Sequence, residues 1–171
     1  MYPGHVFRME HSFVHDSNGG NSVKSRAERN EIYCNWIENP VYHVIDIVEP
    51  DGQKLGLARE DSDVVGNVLI QNGYWYISRI GGDHGVGGNR GRHRFAFNTI
   101  VSTADSQTFF YLQDEVESLA LHNNVFLLAG DDKYVVKDDD AIWMNGRQIA
   151  ATCIRANNRC TVPYWTRRAA V

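Results

Sequence analysis

Val64-Val65-Gly66-Asn67-Val68-Leu69-Ile70-Gln71-Asn72-Gly73-Tyr74-Trp75-Tyr76-Ile77-Ser78-Arg79-Ile80 reads as two strand-forming runs on either side of an Asn-Gly pair. β-Branched and aromatic residues suit a pleated, half-buried surface, and Asn-Gly tolerates the positive φ angles of a tight turn. The stretch predicts a β-hairpin, and a hairpin implies antiparallel pairing.

The same signature recurs on both sides. Residues 95–101 and 108–112 are expected strands around the turn Ala104-Asp105-Ser106-Gln107, with 114–123 a short helix or an acidic loop. Residues 125–129 and 134–137 are expected to pair across Gly130-Asp131-Asp132, and 142–144 with 148–151 across Asn145-Gly146. The last pair is 152–154 with 161–165, where Pro163 belongs on an edge because it cannot donate to a ladder. Upstream, 41–48 alternates and returns as 55–58 after Pro50-Asp51-Gly52, and 5–9 is the first strand. One helix is expected, over about 22–38: Ser22 caps it, Val23, Ala27, Tyr33, Cys34 and Ile37 follow helical spacing, and Asn39-Pro40 stops it. Roughly ten short strands and one N-terminal helix make a mainly β protein, an antiparallel β-sandwich or barrel. It reads as a single domain over 1–171, with no strong internal repeat beyond a loose likeness of 44–59 to 125–140.

Composition narrows the function classes. With 43% apolar and 22% charged residues, the chain has the makings of a folded core rather than a disordered tail. No run approaches the ~18 apolar residues of a membrane span. Met1-Tyr2-Pro3-Gly4-His5 lacks a signal-peptide layout, so a cytoplasmic or virion-associated protein is expected. Cys34, Cys153 and Cys160 form no CxxC, which disfavours a metal clip or a disulfide scaffold. Free, buried thiols are the expectation, although a hairpin that sets Cys153 opposite Cys160 would permit a bridge. No metal or cofactor is expected: Asp138-Asp139-Asp140 matches no calcium-loop spacing.

Charge is unevenly placed in a chain of formal net charge -4. The glycine-rich stretch 81–94 gathers His84, Arg90, Arg92, His93 and Arg94, with Arg79 just before it. Glycine lets backbone approach a partner closely, and arginine supplies forked donors. Asp131, Asp132, Asp138, Asp139 and Asp140 form an acidic counter-surface in the C-terminal half. Together they suggest a binding or assembly module of a viral or multi-subunit kind. Its basic loop would contact a protein partner or the acidic turns of a second copy. The net charge disfavours nucleic acid, and nothing points to a membrane. A ligand-binding barrel using Tyr74, Trp75 and Tyr76 is a further reading; strand alternation would place Trp75 on the face opposite the two tyrosines.

The alternative is an enzyme. Glu10-His11-Ser12-Phe13-Val14-His15-Asp16-Ser17-Asn18-Gly19-Gly20 resembles the first histidine motif of EndoU-type endoribonucleases. That resemblance implies metal-independent RNA cleavage with Glu10 and His11 as the catalytic pair. The family's second histidine has no counterpart: Asn21 and Ser22 stand near its place, and Cys34-Asn35-Trp36 carries cysteine where that family's motif has histidine. As metal ligands, His11 and His15 would need helical spacing; on a strand they lie about 13 Å apart.

Overall fold

The computed structural model describes residues 4–48, 60–82, 91–103, 106, 109–113, 116–129 and 135–138, and the backbone alone of 148–155, 158–159 and 164–166. Among the described residues the protein is mainly β, with no helix, and all but one of its strand pairings are parallel. The antiparallel sandwich or barrel expected from the turns is therefore wrong, and the physical reason lies in where each strand finds its partner.

The chain winds as a coil that contributes one strand to each of three faces per turn. The first coil holds β1 (Val6–Glu10), β2 (Phe13–Val14) and β3 (Val23–Ser25); the second β4 (Arg29–Tyr33), β5 (Trp36–Glu38) and β6 (Ile45–Val48). The third holds β7 (Asp61–Val65), β8 (Val68–Gln71) and β9 (Ser78–Gly81); the fourth β10 (Arg92–Ala96), β11 (Thr99–Ser102) and β12 (Phe110–Leu112). Then β13 (Ser118–Leu128) runs through two faces and β14 (Val136–Asp138) forms the third. They are followed by β15 (Gln148–Arg155), β16 (Asn158–Arg159) and β17 (Tyr164–Thr166). From β1 to β10, each strand pairs with the one three places on. The first face is β1-β4-β7-β10-β13, the second β2-β5-β8-β11-β13, and the third β3-β6-β9-β12-β14-β17. Because β13 belongs to two faces, the eleven-stranded sheet curls over like half a barrel. This is a parallel β-solenoid, in which each coil rests mainly on its neighbours.

A repeat thus exists after all. One inward position recurs as Phe7, Asn30, Ser62, His93 and Leu119. The uneven spacing of those numbers hides it from the sequence. Inside the coil, like residues stack: Met9, Ile32, Val64, Phe95 and Leu121 under the first face, Val14, Ile37, Leu69, Ile100 and Phe126 under the second. The Phe95 and Phe110 rings meet edge to face at 4.8 Å, a geometry that adds to simple burial.

The turn from first to second face explains the parallel winding. In successive coils it uses a positive-φ residue, His11, Cys34, Gly66, Phe97 and Asn123, followed by Ser12, Asn35, Asn67, Asn98 and Asn124. The four asparagines are buried and form a ladder. Asn35 donates from N and Nδ2 to Asn67 Oδ1 (2.8 and 3.0 Å), and Asn67 does the same to Asn98 Oδ1 (2.9 and 3.0 Å). Asn98 repeats the pattern to Asn124 Oδ1 (2.9 and 2.9 Å), and Ser12 N closes the ladder on Asn35 Oδ1. Each amide also satisfies a carbonyl of the preceding turn, as Asn67 Nδ2 does with Ile32 O at 2.9 Å. A turn backbone that would be costly to bury is thereby paired.

Several local expectations change for the same reason. Residues 22–38 hold three short strands and no helix: Val23 and Ser25 point inward while Lys24 points out, and Asn30 and Ile32 alternate with Arg29, Glu31 and Tyr33. The apparent helical spacing came from merging three strands. Asn72-Gly73 makes no hairpin; the chain bends and moves on to the third face, so β8 pairs with β5 and β11, and β9 with β6 and β12. Residues 95–101 are divided by the turn at Phe97, and 118–128 is strand rather than helix or loop. Residues 125–129 do not pair with 135–138. β15 lies parallel on β13 and β17 on β14, while β15 and β16 form an antiparallel pair, Ile154 opposite Arg159. Pro50-Asp51-Gly52, residues 55–58, Asn145-Gly146, Cys160 and Pro163 lie outside the described residues.

Candidate functional site

The three outer faces differ in chemistry. On the first, outward positions carry Arg8, Glu10, Arg29, Glu31, Asp61, Asp63, Arg92 and Arg94 as an ion-pair lattice along the coil. Arg92 reaches Asp61 from Nη2 (2.5 Å) and from its backbone N (2.9 Å), and Arg94 Nε reaches Asp63 at 2.6 Å. Arg29 also donates to Asp63, and Arg8 lies 3.0 Å from Glu10 and 3.8 Å from Glu31. Burial raises the Asp61 carboxyl, but the hydrogen bonds and charge of Arg92 outweigh it and hold the group below the usual carboxylate range. Opposite charges on adjacent strands favour this register over a slipped one.

The basic contact set predicted from sequence is divided by this arrangement. Arg92 and Arg94 stand together on the first face, already engaged by aspartates. His93, between them, points into the coil and is 1% exposed. Arg79 is on the third face. His84 and Arg90 lie outside the described residues, as do Asp131, Asp132, Asp139 and Asp140, and Asp138 is described by its backbone in β14 alone. Glu10 faces outward bonded to Arg8, and His11 takes the positive-φ turn position beside it. His15 pairs with Asp16 at 2.9 Å and stacks on Phe13. Among the described residues, no three His, Cys, Asp or Glu side chains group as a metal site. Cys34, expected to be buried, is exposed at its turn.

The second face is almost free of charge. Its outward rows read Phe13-Trp36-Val68-Thr99-Val125 and Glu38-Ile70-Val101-Leu127. Phe13 is 61% exposed, Trp36 45% and Leu127 40%, and Phe97 at the neighbouring turn is 63% exposed. The single carboxylate of these rows, Glu38, accepts the Trp36 indole N–H at 2.6 Å.

The third face carries the outward row Lys24-Asp46-Arg79-Tyr111-Lys137. Asp46 is fully buried and orients Arg79 through a two-pronged bond, Nε at 2.8 Å and Nη2 at 2.9 Å. Asn21 Nδ2 (2.7 Å) and Lys24 Nζ (3.5 Å) converge on the same carboxylate. The bends between second and third faces stand beside this row and enclose a cleft of about 600 Å³ lined by Asn21, Lys24, Tyr42, His43, Trp75 and Arg79. Gln71 ties the walls together, donating to Tyr42 O (2.6 Å) and Tyr76 O (3.2 Å). Gly20, at φ +131°, accepts from Tyr42 N and passes so close to that ring that a Cβ would touch it at 3.4 Å. His43 stacks on Tyr76 and meets Trp75 edge-on, and burial pushes its imidazole down to about 4, so it is neutral at pH 7.

The sequence reading missed the cleft because it treated 74–76 as strand. In a bend, Trp75 lines the cleft while Tyr76 packs beneath it. No described helix is long and apolar enough to cross a membrane. No family model, curated protein or solved structure matches the chain.

Proposed function

We propose that the protein is a binding and assembly module whose second face packs against a second copy of itself. The carrying observation is the contrast between faces: the first is lined with charge, while the second presents Phe13, Trp36, Val68, Ile70, Val101, Val125 and Leu127 with Glu38 as the one charge in its outward rows. A contiguous exposed apolar strip of this kind marks a contact surface rather than scattered surface hydrophobics.

The strip also suits self-pairing. Its N-terminal end is large and aromatic, its C-terminal end small and branched. A two-fold axis across the coil would set Phe13 and Trp36 of one copy on the Val101–Leu127 end of the other. Five coils about 4.8 Å apart and two outward rows give roughly 20 Å by 12 Å of sheet, well under the ~800 Å² per partner of a standard interface. The expected complex is therefore weak and concentration-dependent. Sedimentation velocity across a concentration series tests it. Wild type shifts toward dimer with concentration, whereas Trp36→Lys with Leu127→Lys stays monomeric. A wild type that is monomeric throughout refutes the proposal.

A further inference from the structure

We infer that the third-face cleft is a saccharide site, with a sugar ring seated on Trp75 and Tyr42 and its hydroxyls bonded to Asn21, Lys24 and Arg79. This does not depend on the second face or on self-association.

Three features point to this class. First, Tyr42 (48% exposed) and Trp75 (37% exposed) present apolar ring surface at the cleft, beside cationic and amide groups. A sugar matches that mixture, having C–H faces that lie on an aromatic ring and a hydroxyl rim that donates and accepts. Second, the rings are set at steep angles: Tyr42 to Trp75 at 86° and Tyr74 to Trp75 at 80°. Neither of these two pairs is parallel, so neither can sandwich a flat nucleobase, whereas one ring face suffices for a puckered sugar. Third, the polar groups are held in place before any ligand arrives. Asp46 fixes Arg79 and Asn21, and Asn21 Oδ1 in turn accepts from His43 N at 3.0 Å. His43, itself 5% exposed, keeps its buried Nδ1 without a hydrogen-bond partner among the described residues. Preorganised polar groups lose little freedom on binding, which favours recognition of a well-hydrated ligand.

The test is a glycan array of neutral and acidic oligosaccharides, followed by calorimetry with the best glycan and with AMP as the flat-base comparison. Trp75→Ala and Tyr42→Ala remove exposed rings, and Tyr74→Ala removes a neighbouring exposed ring outside the cleft lining. Circular dichroism establishes that each variant is folded. The expected result is glycan binding that weakens about tenfold or more in Trp75→Ala and in Tyr42→Ala, with Tyr74→Ala within about twofold of wild type. The inference is overturned if no glycan binds, if AMP binds more tightly than the best glycan, or if both cleft variants keep wild-type affinity.

Discussion

Replacing Asn67 by alanine should cost the coil much of its stability. The side chain sits mid-ladder, fully buried, and makes four hydrogen bonds: two accepted from Asn35 and two donated, to Ile32 O and Asn98 Oδ1. Truncation removes all four. Asn35 Nδ2 keeps Met9 O, but the Asn35 backbone N–H loses its acceptor inside the coil. At about 0.5–1.5 kcal/mol per net bond, with an added penalty for the orphaned donor, the loss comes to roughly 3–5 kcal/mol. A domain of this kind has only about 5–15 kcal/mol in total. Urea unfolding followed by circular dichroism measures it as a lower midpoint at similar slope. Asn72→Ala is the control, since its exposed side chain bonds Asn39 outside the ladder and should cost about 0.5 kcal/mol or less. An Asn67→Ala loss under about 1 kcal/mol would refute the reasoning that the ladder holds the turns.

Other outcomes follow from single positions. Gly81→Ala places a Cβ against the Gln113 backbone carbonyl at φ +128°, so a loss of roughly 3 kcal/mol or more is expected in the same assay. His43 is held neutral down to about 4, against 6.5 ordinarily. Between those values the unfolded chain binds more protons, so its stabilising effect is complete above pH 6.5 and fades as pH falls toward 4. The loss reaches about 3 kcal/mol, and unfolding measured from pH 7 to 4 should show a shallower slope in His43→Phe. Asp46→Ala leaves Arg79 without its buried partner and should cost about 3 kcal/mol or more, whereas Glu38→Ala on the second face should cost well under 1 kcal/mol.

Strand content was legible in the sequence, and strand direction was not. Alternation at 61–71 and 92–102 marks half-buried strands whichever way they pair, and Asn72-Gly73 suits a bend as well as a hairpin. What distinguished the two was the asparagine after each first-face strand, at 35, 67, 98 and 124. That signal is diluted because the preceding positive-φ residue is Cys34, Gly66, Phe97 or Asn123, with no common type. Unequal coil lengths then blurred the period. The basic residues were legible as a cluster along the chain, but alternation sent Arg92 and Arg94 outward and His93 inward. Arg79 mattered for a different reason: its neighbours Lys24 and His43 come from the two preceding coils, a conjunction created by winding, and only Trp75 is near it along the chain.

Pairing of two copies through the nearly uncharged second face is tested most directly by photo-crosslinking. A benzophenone side chain at Val68, in the middle of the second face, is compared with one at Glu31 on the charged first face, each in otherwise wild-type protein. Crosslinked dimer is expected from position 68 and monomer from position 31. Monomer from 68, or equal dimer from both, would contradict that pairing.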